Sequence, residues 1–425
     1  MPKLVIINKS TGTGGAAMAA LRLFRAHKSH LKNWDVQFLA QEGPATAEVG
    51  IHILSRSRFS KYANLFRLAL EKLVFLPYEK SKEIRFQFSL AITGRDISKH
   101  SIIEKADILH LHWLYQGFMS IRGMQKLFRK GIPVVWTMHD MWTFTGGCHY
   151  TAKCDHFKNS CGECPFLKKP SAGDLSARNF NKKEKLFRKY PEIVFVSCSS
   201  WLAMRARESN ILKNHRIEVI PNPIDVDVFS PGDKIAARKQ IGIQEDKFII
   251  LFGAANVNDK RKGFLYLVKA LEKLKAEFSA EASDIELLVF GKASTELPAG
   301  FHVYNQKLVT KEIDLVNIYR AADVFVLPSL EDNLPNTIME SLSCGTPVVA
   351  FNSGGIPEMI DHKLNGYLAE SMNTEQLLKG ILWVKSEPAD RLAKSARQKV
   401  LDNYHPEKIS NAYKEVYLSL INKAR

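Results

Sequence analysis

No run of eighteen or more apolar residues occurs anywhere in the 425-residue chain, so the sequence offers no helix able to span a bilayer. Its opening, MPKLVII, runs directly into a strand pattern without the basic region and cleavage site of a signal peptide, which makes a cytoplasmic protein the expectation. Repeats and low-complexity tracts do not stand out. Cysteine is scarce, with six in all. Cys198 and Cys344 sit in apolar contexts, while Cys148, Cys154, Cys161 and Cys164 cluster, and in a reducing compartment such a cluster points to metal or free thiols before disulfides. Acid is also short: 44 Asp and Glu stand against 60 Lys and Arg, a net charge of +16. That excess favours anionic partners, whether phosphate-bearing small molecules, nucleic acid or an acidic membrane face.

What is present is enough for two cores. At this length a single core is stretched, and 45% hydrophobic residues can build two domains of roughly 200 residues each. Val- and Ile-rich runs at Leu4–Asn8, Val36–Leu39, Ile108–His112, Val134–Met138 and Ile193–Cys198 alternate with helical patterns such as Ala16–Lys28. The second half repeats the habit, with strands at Ile217–Ile220, Phe248–Phe252, Ile285–Phe290, Val324–Leu327 and Pro347–Ala350. Helices are expected there at Phe264–Lys275, Lys311–Ala321 and Asn336–Ser343. Alternation of this kind predicts α/β domains with parallel, doubly wound sheets. Three prolines and a glycine in PNPIDVDVFSPGDK, 221–234, mark the hinge, giving domains 1–222 and 223–404. The tail 405–425 has Ile409, Tyr413, Val416, Tyr417 and Leu420 at helical spacing and is expected to pack back on one domain, the N-terminal one being the candidate.

Between Arg56 and Arg85 lie eight Lys and Arg against three Glu, with Tyr62, Leu65, Phe66, Ala69, Leu70 and Leu73 on one helical face. Two readings stand: an ordinary helix with a core stripe and solvated charges, or peripheral attachment to an anionic membrane.

Several motifs sit where strands should end. NKSTGTGGAAMAA places a glycine-rich turn before a helix, and its Gly12-x-Gly14-x-x-Ala17 spacing fits a phosphate-binding turn, with Glu42 as a ribose-binding acid if the ligand is a dinucleotide. His110, His112 and His139 fall at or beyond strand ends. His110 reads best as structural, whereas His139, followed by Asp140, could contact a sugar hydroxyl or polarise a reacting group with the acid orienting it. In the cysteine cluster, Cys161-x2-Cys164 has zinc-knuckle spacing while the other intervals are irregular, so structural zinc, free thiols and oxidative disulfides are all open. Lys260, Arg261 and Lys262 precede Gly263 and a helix, a placement suited to a diphosphate. Finally, EDNLPNTIMESLSCGTPVVA sets Asp332 and Glu340 eight residues apart, the first in a turn and the second in the helix that follows. Backbone N–H groups at Asn333, Leu334, Asn336 and Thr337 lie between them for an anion.

Together these segments resemble the retaining glycosyltransferases of family 4. The family's E-x7-E element and CGTPVV are similar to Asp332–Glu340 and residues 344–349, its PNGVD linker to VIPNPIDVDVF, its K-G signature to KRKGF, and its glycine loop to TGGAAMAA. HDMWTFTGGCHY with CGECP resembles a subgroup associated with bacterial surface polysaccharide synthesis. The resemblance implies a GT-B fold, two Rossmann-like domains facing a central cleft, and transfer of a sugar from a nucleotide diphosphate sugar, UDP- or GDP-linked, to a glycan or lipid-linked acceptor. It implies retention, no cofactor for catalysis and no nucleic-acid partner. Residue by residue, it implies that Glu340 holds ribose, Asp332 the sugar hydroxyls, Lys262 the diphosphate, Gly14 and Gly15 the phosphate-facing loop, and that His139 lies near the reacting carbon. Arg261 would substitute for an arginine usually found where Asn256 stands, and Pro335 removes an N–H the family usually offers to phosphate. The competing readings are a nicotinamide oxidoreductase built on the Gly12–Ala17 turn and a non-enzymatic binder of anionic surfaces.

Overall fold

The computed structural model describes residues 1–12, 14–44, 48–256, 259–292, 300–309 and 311–424. The chain divides into two units, Met1–Pro221 with Ile409–Arg425, and Asn222–Lys408.

Unit 1 carries a sheet of seven strands: β1 Lys3–Ser10, β2 Asp35–Glu42, β3 Ile51–Ile53, β4 Ile108–Leu111, β5 Val134–Met138, β6 Val194–Ser197 and β7 Ile217–Val219. Their order is β3-β2-β1-β4-β5-β6-β7 and every pair is parallel. The segment near Ile217, expected to open the second half, instead closes this first sheet against β6. Successive side chains of β1 enter different cores: Leu4 and Ile6 join one apolar cluster, Val5 and Ile7 the other. That burial on both faces is why the strand reads as a continuous apolar run.

The helix Pro406–Ala424 contributes Ile409, Tyr413, Val416, Tyr417, Leu420 and Ile421 to the cluster holding Leu4 and Ile6. Burying six such side chains stabilises the unit by on the order of 10 kcal/mol before entropy is subtracted.

Unit 2 has β8 Phe248–Asn256, β9 Ile285–Lys292, β10 Val303–Asn305, β11 Val324–Leu327, β12 Val348–Phe351 and β13 Gly366–Ala369. These also run parallel, in the order β10-β9-β8-β11-β12-β13. In each sheet the order reverses once, between β1 and β4 and between β8 and β11. The crevice beyond the carboxyl ends at such a reversal is where open α/β sheets take ligands.

Among the described residues no helix is long and apolar enough to cross a membrane. The helix α1, Gly15–His30, follows β1, and α2, Arg58–Phe75, follows β3. The face of α2 expected to be a core stripe points outward, and its inward side is polar. Asn64, Glu71 and Lys72 are buried with Phe75, while Tyr62, Leu65, Phe66, Leu70 and Leu73 are exposed.

Candidate functional site

In unit 2 the reversal between β8 and β11 gathers the basic loop and the first acid. β8 leads into the short turn Lys260–Lys262, and β11 into the loop that carries Asp332. Gly263, at φ +73°, lets the two loops touch: a Cβ there would lie 1.8 Å from the carbonyl oxygen of Pro328, which no side chain tolerates. Leu330 N–H then donates to Arg261 O at 2.8 Å, and Arg261 Nη1 donates to Glu331 O at 2.7 Å.

These contacts deliver two cations to Asp332. Lys262 Nζ lies 2.6 Å and Arg261 Nη1 3.3 Å from Asp332 Oδ2. Burial alone would raise the carboxyl's pKa. The charges of Lys262 and Arg261 outweigh it and hold the group below its ordinary value, so Asp332 stays ionised. Its backbone is clamped as well. Gly355 N–H donates to Asp332 O at 2.9 Å, and a Cβ on Gly354 (φ +59°) would fall 1.9 Å from that same oxygen. The SGG segment is thus the seat on which the acid's loop rests.

The helix Asn336–Ser343 starts three residues beyond the buried Asn333, with Pro335 at its N-cap, a residue with no N–H to offer. Asn336 and Thr337 form its first turn at a partly exposed edge, whereas Leu334 is buried. The Asn333 N–H, expected to face an anion, points to Asp332 Oδ1 at 3.1 Å. Glu340 is the fifth residue, one turn into the helix, and is buried. Tyr319 Oη, on the helix Glu312–Ala321, donates to its Oε2 at 2.9 Å. Sequence reasoning did not find Tyr319. The CGTP turn holds it: Gly345 (φ +82°) ends the helix, and Thr346 Oγ1 donates to Tyr319 O at 2.7 Å.

In unit 1 the glycine loop lies at the carboxyl end of β1, with Gly14 as N-cap of α1 and Gly15 its first residue, both exposed. Gly14 has φ +90° with open space around it, so glycine is required there by backbone conformation rather than by crowding. Thr13 lies outside the described residues. His110 lies within β4 and His112 just beyond it, both buried, while His139, just beyond β5, keeps an exposed edge. His110 is structural, bonded to Thr137 Oγ1 at 2.7 Å and to Tyr417 Oη at 2.8 Å.

The expected pairing of His139 with Asp140 does not form. Asp140 instead accepts from Trp113 Nε1, Tyr115 Oη and the backbone N–H of Trp142, a set that turns its carboxylate into the loop. His139 Nε2 lies 2.9 Å from His112 Nδ1, so His112 orients it. Desolvation pulls His139 down to about 4, which keeps the ring neutral at physiological pH.

Cys148, Cys154, Cys161 and Cys164 line one cavity with His156, and all four are free thiols. Among the described residues no group of three or more His, Cys, Asp or Glu side chains is arranged to hold a metal ion. Burial raises Cys148 far up, Cys161 to about 12 and Cys164 to about 11, so without a metal these sulfurs are protonated.

Two family models match the chain: Glycosyltransferase Family 4 over residues 13–228, and Glycosyl transferases group 1 over residues 233–399. A protein of Escherichia coli named for colanic acid biosynthesis, the glycosyl transferase WcaC, is 28% identical over 67% of this chain and 68% of its own. The D-inositol 3-phosphate glycosyltransferase of Pseudarthrobacter chlorophenolicus is 24% identical over 67% of this chain and 64% of its own. Among solved structures, sucrose-phosphate synthase from Thermosynechococcus elongatus superposes with a TM-score of 0.66 at 16% identity over the whole of both chains. Anabaena Alr3699/HepE in complex with UDP-glucose gives 0.64 at 14% identity over 98% of this chain and all of its own. At such identities the likeness is one of fold.

Proposed function

The chain belongs to glycosyltransferase family 4, with two Rossmann-like units of the GT-B class, and we propose that it moves a sugar from a nucleotide diphosphate sugar to a glycan or lipid-linked acceptor, with retention at the anomeric carbon. The observation that carries this reading is the pairing of Lys262 and Arg261 with Asp332 at the reversal between β8 and β11. One end of that cluster is cationic and suits a diphosphate; the other is an ionised carboxylate and suits sugar hydroxyls. Glu340, held by Tyr319, takes the ribose diol. The N–H groups of Asn336 and Thr337 add donors at a helix start.

As the glycosidic bond breaks, negative charge grows on the departing diphosphate while the sugar becomes oxocarbenium-like. Lys262 and Arg261 are already in place and lower that charge's energy without reorganisation. The leaving phosphate then takes the acceptor's proton on the same face, which yields retention. In unit 1, Gly14 and Gly15 keep the loop at the carboxyl end of β1 free of side chains, as a phosphate-facing loop requires, and neutral His139 is suited to hydrogen-bond a sugar hydroxyl. A role in cell-surface polysaccharide synthesis is supported by the name of the E. coli relative and by the HDMWTFTGGCHY segment. A UDP-linked donor has the support of HepE, solved with UDP-glucose, UDP, and UDP with glucose.

The test is a donor-hydrolysis screen across UDP-, GDP-, ADP- and dTDP-sugars with the anomeric configuration of the product read by NMR. Hydrolysis of one class with retained configuration is the expected result. Inversion would overturn the retaining assignment. A thermal shift with NAD(H) and none with any nucleotide diphosphate would overturn the donor.

A further inference from the structure

An apolar helix face normally lies against the core, because removing it from water is what holds the helix in place. In α2 the arrangement is inverted. Phe59, Tyr62, Phe66 and Leu73 retain 82, 69, 68 and 62% of their accessible surface, and Leu65 retains 60%. On the inward side, Asn64 Nδ2 donates to Ser55 Oγ at 2.6 Å, Glu71 accepts from Leu90 N–H at 3.1 Å, and Lys72 Nζ donates to Arg85 O at 2.7 Å and Phe88 O at 3.1 Å. Phe75, stacked on Phe88 with ring centroids 4.9 Å apart, is the one large apolar anchor facing in. The helix is therefore secured by polar bonds, and its apolar side is left to water.

The exposed charges beside that face are mostly positive, Glu83 next to Lys82 being the exposed acid. Arg56, Arg58 and Lys61 are exposed at one end, Lys80 and Lys82 at the other. The sole acid between Arg56 and Tyr78 is the buried Glu71. We propose that the outward face of α2 is a docking surface for an anionic lipid bilayer, its aromatic and aliphatic side chains entering the boundary between headgroups and acyl chains and its flanking cations meeting lipid phosphates. The charge pattern selects a bilayer over a second copy of the chain. A symmetric pair built on this face would set the five cations of one copy against the five of the other. The apolar aromatic centre with basic ends is the composition of an interfacial helix, and the proposal holds whichever donor the enzyme uses.

The experiment is cosedimentation of the full chain with vesicles of phosphatidylglycerol and phosphatidylcholine, compared with phosphatidylcholine alone, at low and high salt. Binding is expected only with phosphatidylglycerol present and weakens with salt. The triple variant Phe59→Ser, Phe66→Ser, Leu73→Ser and, separately, Arg56→Gln, Arg58→Gln, Lys61→Gln each lower it about tenfold or more. Donor hydrolysis in free solution stays at the parent rate in both, which shows that the variants fold. Absence of binding to phosphatidylglycerol vesicles, equal binding to the neutral ones, or parent-level binding by both variants overturns the proposal. So does a dimer in light scattering that the triple serine variant dissociates while vesicles bind nothing.

Discussion

Around the reversal point of the first sheet the buried polar groups are uncharged and bonded to one another; around that of the second they are ionised and paired. In unit 1 a string runs from Ser410 through His27, Tyr417, His110 and Thr137 to Tyr413, each link between 2.7 and 3.1 Å. Burial drives His27 down to about 3 and His110 and His112 well below the usual range, so the rings hold no charge. In unit 2, Lys262 and Arg261 flank Asp332 at 2.6 and 3.3 Å. A neutral network fixes a ring in place without creating a field. A charged cluster creates the field that a diphosphate needs.

Acid should separate the two most strongly. Unfolded histidines titrate near 6.5, so below that pH the unfolded form of unit 1 binds protons that its folded form refuses, and stability falls as pH drops from about 6.5 toward about 3. Each of the three fully buried rings, His27, His110 and His112, costs about 2 kcal/mol by pH 5. Asp332 has a dependence of the same sign on a lower range, its contribution being lost only as pH falls from the ordinary carboxylate value through its depressed one. Hydrogen exchange followed by mass spectrometry at pH 7 and pH 5 should show unit 1 peptides losing protection first. Earlier loss in unit 2 would remove the contrast.

Next in size is the charge itself. Lys262→Ala should cut donor turnover by about a hundredfold or more, the scale of losing one preorganised stabiliser of developing charge. The acid limb of the pH–rate profile should also move upward, because Asp332 keeps only the more distant Arg261. Unchanged turnover with an established donor would show that the cation cluster is merely structural. The smallest effect is expected at Tyr319→Phe, which deletes one hydrogen bond to Glu340. The KM for the donor should rise by about three- to tenfold with kcat nearly unaltered. A fall in kcat alone would place Glu340 nearer the reacting carbon than the ribose.

Much of this was legible without coordinates, and the exceptions have physical causes. Buried strands announce themselves through apolar runs, whereas β3, β10 and β13, partly buried at sheet edges, carry too little apolar pattern to be seen. The Asp332–Glu340 spacing is local and was readable. The bond from Tyr319 is made by folding and spans 21 residues, and nothing marks that tyrosine within an amphipathic helix. Asp140 misled for a similar reason: adjacency to His139 suggested a pair, but the acid's partners come from Trp113, Tyr115 and Trp142. In α2 the periodicity was legible, while its sense stood open between a core stripe and an outward face. Spacing shows that a helix has two unlike faces, but which one turns inward depends on what the inward residues can bond.

The closing helix has a consequence for how the molecule is made. Residues 409–424 belong to the first unit although they leave the ribosome after the whole of unit 2. Throughout synthesis of the second sheet, His27, His110 and Thr137 wait for the tyrosines that will meet them, and Leu4 and Ile6 wait for their cover. Unit 2 can therefore be complete while the N-terminal sheet still exposes one side, and the chain's earliest strand is among the last to find its full set of neighbours.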